Sequence, residues 1–160
     1  MRIILLFISF LCISASMHSQ DCNYDYDYTP NVKIHKKHVL SESKKLEWFG
    51  EISQLKRCLD LATSQKERYW LNNSIANRTF FIDDVENIVP YVVQAFTADT
   101  ESFCNDYMSV YEASLIKDFS FDSYYLHMDA HPELIDIKSY CHENYESQFN
   151  QEYIDELEKI

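Results

Sequence analysis

The chain has 160 residues, with 26 acidic and 14 basic side chains, a net charge of −12, one glycine, three prolines and five cysteines. At 46% hydrophobic and 25% charged it has the composition of one globular domain rather than of a disordered chain. The single glycine, Gly50, excludes a P-loop, a dinucleotide fingerprint and a nucleophile elbow, each of which needs several glycines where backbone must turn or approach closely, and it argues against hairpin-rich β folds.

Residues 1–20 read as a secretory signal peptide. Arg2 supplies a positive start, Ile3 to Ile13 is an unbroken apolar run of 11 residues, and small and polar residues follow from Ser14 to Gln20. The run is shorter than the roughly 20 apolar residues a membrane span requires. No small residue precedes Cys12, so that cysteine fits lipidation poorly, and cleavage is expected between Ser16 and Gln20. The mature chain then carries a net charge of −13 and four cysteines, Cys22, Cys58, Cys104 and Cys141. An even number in an exported chain predicts two disulfides, with three connectivities open. No two of these cysteines are closer than 36 residues, so the short knuckles of a zinc site are missing. No second long apolar stretch follows, and no membrane association is expected after cleavage.

Residues 21–42 contain Asp21-Cys-Asn-Tyr-Asp-Tyr-Asp-Tyr28 and Pro30, show no helical period, and are read as an irregular arm tied down through Cys22. From Ser43 the apolar residues Leu46, Phe49, Ile52, Leu55, Leu59 and Ala62 recur at three- and four-residue steps and predict an amphipathic helix with these residues inward. Gly50 weakens that helix, and a close helix crossing would explain it. Ser64 and Glu67 have capping-box spacing and open a second helix. That helix is expected to end in the polar stretch Asn72 to Thr79, with Phe80 to Ile82 a short extended piece. After Asp83, the positions Val85, Ile88, Val89, Val92, Val93 and Phe96 again have helical spacing. Pro90 must kink or restart that helix, and the four valines make a buried strand the alternative. Thr100 begins a helix with Phe103, Tyr107, Val110, Tyr111 and Leu115 inward. Residues 118–131 read as irregular. Pro132 suits a first helical turn and starts a helix through Leu134, Ile135, Ile137, Tyr140 and Cys141. A last helix carries Phe149, Tyr153, Ile154 and Leu157. The expected fold is all-α: a single domain over 21–160, a small five- to six-helix bundle tied by two disulfides.

Charge is divided unevenly. Residues 21–80 hold ten basic and eight acidic side chains, whereas residues 81–160 hold three basic and eighteen acidic ones. Such a field disfavours nucleic acid and anionic membranes, whose binding relies on Lys and Arg. It favours a basic protein or a cationic peptide. Eight of the twelve tyrosines lie in the acidic half, and tyrosine is a favoured interface anchor. Tyr124 and Tyr125, with Asp118 and Asp122, are the candidate partner-binding residues.

Four motifs could carry chemistry. His127, Asp129 and His131, with His142 eleven residues on, are candidate metal ligands. The string His127-Met-Asp-Ala-His-Pro132 is similar to a metal-binding string of deacetylase-type and arginase-like enzymes, which are far larger α/β proteins, and no second ligand cluster is visible here. The structural alternative is that His131 and Asp129 cap the following helix. Tyr24, Tyr26 and Tyr28, flanked by acids, have the pattern of tyrosine sulfation in a eukaryotic exported protein. Asn72-Asn-Ser74 and Asn77-Arg-Thr79 are glycosylation sequons in a predicted loop, if the source is a eukaryote. His35-Lys-Lys-His38 reads as a flexible basic patch.

The leading functional expectation is a secreted or periplasmic interaction protein without catalysis or cofactor, of the inhibitor, effector or immunity type, whose acidic, Tyr-rich C-terminal half binds a basic partner. The alternatives are a small metal-dependent hydrolase centred on His127, Asp129 and His131, and a helical carrier of a small apolar ligand.

Overall fold

A computed structural model describes Cys22, Tyr24 and residues 41–82, 85–115 and 124–146. The expectations for the signal peptide, Tyr26, Tyr28, His35, His38, Asp118, Asp122 and the helix around 149–157 lie outside the described residues. Five α-helices follow in order: α1 (Glu42–Leu61), α2 (Gln65–Phe81), α3 (Val89–Ala98), α4 (Thr100–Leu115) and α5 (Pro132–Asn144). Two 3-10 helices join them, η1 (Val85–Asn87) before α3 and η2 (Tyr124–Ala130) before α5. The fold is all-α, and disulfides link Cys22 to Cys58 and Cys104 to Cys141.

Local chemistry sets the helix starts. The Ser41 side chain accepts from the Lys44 N–H at the head of α1. At α2 the capping box is complete: Ser64 Oγ accepts from Glu67 N–H, and the Glu67 carboxylate accepts from Ser64 N–H at 2.9 Å. The backbone N–H groups of Ser64 and Thr63 hold the Glu67 carboxyl below its usual value. Pro90 stands in the first turn of α3 and Pro132 in that of α5, where a missing N–H is harmless. Pro90 therefore restarts the chain as a helix, and the alternative of a buried strand through Val85 to Phe96 is overturned.

Two adjacent apolar clusters form the core. One is built on α3, α4, η2 and α5 and includes Ile88, Val92, Phe103, Tyr107 and Leu134, all at 1% exposure or less. The Cys104–Cys141 disulfide lies in it and staples α4 to α5. The second lies between α1 and α2 and includes Ile52, Leu55, Leu71 and Ile75. Its disulfide fixes Cys22 to α1, and Tyr24 packs on Trp70 with ring centroids 5.0 Å apart. Arg78 Nε donates to Glu51 Oε2 at 2.6 Å and ties α2 to α1.

Four local expectations are corrected. Leu46 and Phe49 are not inward but 71% and 52% exposed. The inner stripe instead begins at Trp48, which meets Phe81 edge-on at 5.5 Å, and continues through Ile52 and Leu55. Gly50 does not mark a helix crossing, because a Cβ there would meet nothing within 4 Å. The helix does not end at Asn72, and Phe80 to Ile82 is not extended: α2 runs through Phe81, with Asn73 in its middle held by Tyr124 and Tyr125. Residues 124–131 are not irregular, since most form η2.

Candidate functional site

The tyrosines assigned to a partner surface belong to the interior. Tyr124 is 1% exposed and Tyr125 7%, so the expectation that they bind a partner is overturned. They point inward because each phenol finds a buried acceptor. Asn73, on α2, accepts from the Tyr124 hydroxyl in a very short hydrogen bond and from the Tyr125 hydroxyl at 3.0 Å through the same Oδ1. Asn73 Nδ2 donates to the Tyr69 hydroxyl at 3.5 Å, and Tyr69 donates in turn to Asp106 Oδ2 on α4 in another very short bond. Three phenols, one amide and one carboxylate thus converge where α2, α4 and η2 meet. Burial pushes all three phenols well above their ordinary value, so they stay protonated donors. Burial also raises Asp106 to about 6, against the opposing effect of the Tyr69 hydrogen bond.

A second polar contact lies nearer the surface. The Tyr107 hydroxyl shares a hydrogen bond with His142 Nε2 at 2.8 Å, and Tyr111 meets the same imidazole edge-on at 4.5 Å. Burial raises the Tyr107 phenol.

The four histidine and aspartate candidates do not come together. His127 stacks on Phe80 with centroids 4.9 Å apart. Asp129 takes Lys138 Nζ at 2.6 Å. His131 is the N-cap residue of α5 but makes no side-chain cap bond, and its Nε2 is buried without a partner. His142 is held by Tyr107. Among the described residues no group of three His, Cys, Asp or Glu side chains could hold a metal ion. The metal assignment to His127, Asp129 and His131 is therefore corrected, as is the reading that His131 and Asp129 cap α5 through their side chains.

The two sequons also differ from their expected loop setting, since both asparagines lie on α2. Asn72 is 1% exposed and its Nδ2 donates to the Arg68 carbonyl at 2.8 Å, which leaves no room for a glycan in the folded chain. Asn77 is exposed. Tyr24 is half-buried against Trp70 rather than part of an open arm.

What α5 presents outward is acidic and aromatic. Glu133, Asp136, Tyr140 and Glu143 are all exposed and recur at three- and four-residue steps, so they form one stripe. Tyr140 meets Phe96 of α3 edge-on at 5.5 Å and Tyr145 at 6.3 Å. Desolvation first, then Tyr140 and the carboxylates Glu101 and Asp99, raise the Tyr145 phenol. Among the described residues from 85 to 146 there are ten acidic side chains and one basic one, Lys138. In this acidic half Tyr140 is exposed, whereas Tyr124 and Tyr125 are buried. The exposed stripe was visible as Glu133, Asp136, Tyr140 and Glu143 in the period of α5. No family model matches the chain, and neither a curated protein nor a solved structure matches it significantly.

Proposed function

We propose that this protein is a secreted or periplasmic, non-catalytic interaction module whose acidic face, centred on α5, binds a basic protein or cationic peptide. The observation that carries this reading is the α5 stripe: three exposed carboxylates around Tyr140, with Phe96 and Tyr145 behind it. The only described lysine of this half already faces Asp129. A guanidinium or ammonium group can meet both carboxylate and ring on such a surface. The two disulfides support an oxidising compartment. Among the described residues no helix is long and apolar enough to cross a membrane.

The test is a titration of cationic peptides and purified basic proteins against the disulfide-bonded protein at low and physiological salt. Binding should weaken steeply with salt, since opposite charge steers such complexes. It should also be lost in a variant with Asp136→Lys and Glu143→Lys. Binding indifferent to both salt and these reversals would sink the reading.

A further inference from the structure

We propose that Asn77 carries an N-linked oligosaccharide in the exported protein, and that Asn72, in a sequon of the same form, carries none once the chain has folded. The assignment is independent of what the acidic face binds.

The packing of α2 carries it. Asn72-Asn-Ser74 and Asn77-Arg-Thr79 are the two sequons of the chain, and neither has proline in the middle. Five residues separate the asparagines, about 140° around an α-helix, so they look to different sides. From Tyr69 to Phe81 the helix is embedded, and Asn77 is the one exposed residue of that stretch. Two turns before it Trp70 lies against Tyr24, and one turn after it Phe81 meets Trp48. Asn77 is left open between these ring pairs. Asn72 is the opposite case: it is 1% exposed, its Nδ2 donates to the Arg68 carbonyl, and its Oδ1 is buried. A glycan is bulky and polar and belongs at a surface. On Asn77 it projects into solvent. On Asn72 it would put sugar hydroxyls where the helix closes on its neighbours, a costly burial.

The chemistry is a transfer to an amide nitrogen. The donor is an oligosaccharide linked to a lipid diphosphate. Asn77 Nδ2 attacks the anomeric carbon, and the N–C bond forms as the carbon–oxygen bond to the diphosphate breaks. Nδ2 gives up one proton and the lipid diphosphate leaves. The transferring enzyme must reach both the asparagine and the hydroxyl two positions on, yet Thr79 is 4% exposed on the folded helix. Transfer therefore precedes the folding of α2, when both sequons are open, and folding then selects. A chain bearing sugar on Asn72 cannot bury that side of α2 and does not join the folded pool. A chain bearing it on Asn77 folds with nothing displaced. The two disulfides support the oxidising compartment in which such transfer takes place.

The experiment is a site map on the full chain expressed in cultured eukaryotic cells. Disulfide-bonded protein is taken from medium and lysate together. Its N-glycans are released enzymatically in heavy-oxygen water, which marks each former glycan site as a labelled aspartate for peptide mass spectrometry. The expected label is at Asn77, with none at Asn72. Asn77→Gln should lose the whole glycan mass and keep the melting temperature of the enzymatically deglycosylated wild type, since that side chain is exposed. Ser74→Ala removes the Asn72 sequon and leaves the asparagine in place, so the glycan mass of the folded protein should not change. An unlabelled Asn77 overturns the proposal. So does a label at Asn72 in disulfide-bonded protein, from the wild type or from Asn77→Gln, and so does a loss of glycan mass in Ser74→Ala.

Discussion

Lys138 Nζ lies 2.6 Å from both carboxylate oxygens of Asp129, so the one described lysine of the acidic half joins η2 to α5. The lysine side chain is 28% exposed and the aspartate 65%, so solvent screens much of their attraction. Lys138→Gln should therefore reduce stability by no more than about 1 kcal/mol, with the difference shrinking as salt rises. The same substitution makes the surface more negative by one charge and frees Asp129. Association with a cationic probe should then be faster at low salt. Denaturant melts and stopped-flow association read the two effects. A slower association would show that Lys138 belongs to the binding surface rather than diluting it.

Gly50 is exposed within α1, and a side-chain carbon there would touch nothing within 4 Å. Its backbone freedom in the unfolded chain is thus an entropic penalty with no packing return. Gly50→Ala should stabilise the protein by about 0.5–1 kcal/mol, measured by urea unfolding with an unchanged slope. A destabilised variant would mean that something covers this face of α1 in solution.

Adjacent asparagines on α2 should behave differently on truncation. Asn73 Oδ1 is the acceptor for two buried phenols, so Asn73→Ala leaves both without it. The expected loss is about 1–3 kcal/mol, the cost of a buried group that loses its hydrogen-bond partner. Asn72 is equally buried, but its Oδ1 has no partner and its Nδ2 serves only the Arg68 carbonyl one turn back. Asn72→Ala should cost about 1 kcal/mol or less, since it also removes an unsatisfied acceptor. Equal losses at the two positions would show that packing volume, not the phenol network, sets the energy here.

That pair also shows where the sequence was readable. Signals confined to a few neighbouring residues were legible. Ser64 and Glu67 form their capping box, Pro90 and Pro132 stand in first turns, and four cysteines make two bridges. Signals that depend on what packs opposite were not. The polar run from Asn72 to Thr79 resembles a helix end until Tyr124 and Tyr125, some fifty residues away, supply its partners. The same tyrosines, flanked by acidic sequence, resemble surface anchors until Asn73 is placed beside them. Period alone also left the inner face of α1 ambiguous. Leu46, Phe49 and Trp48 all fit a helical stripe, and the position of Phe81 selects Trp48.

The two disulfides should differ in what they protect, although their loops are nearly equal, with separations of 36 and 37 residues. In a chain-entropy estimate either bridge contributes about 3–4 kcal/mol. Cys104 and Cys141 are both 0% exposed inside the larger core and join two packed helices. Replacing that pair with alanine also removes buried sulfur, so the whole bundle should lose stability in one transition. Cys22 instead fixes the N-terminal segment to α1, where Tyr24 covers Trp70. Replacing Cys22 and Cys58 with alanine should expose Trp70 and shift its fluorescence to the red, while far-ultraviolet dichroism keeps most of its helical signal. Thermal melts followed by both probes separate the cases. Coincident loss of both signals is expected for the Cys104–Cys141 variant, and an early fluorescence change with a later helical melt for the Cys22–Cys58 variant. If the second variant also unfolds in one step, the N-terminal segment is an integral part of the α1–α2 core rather than a cover fastened onto it.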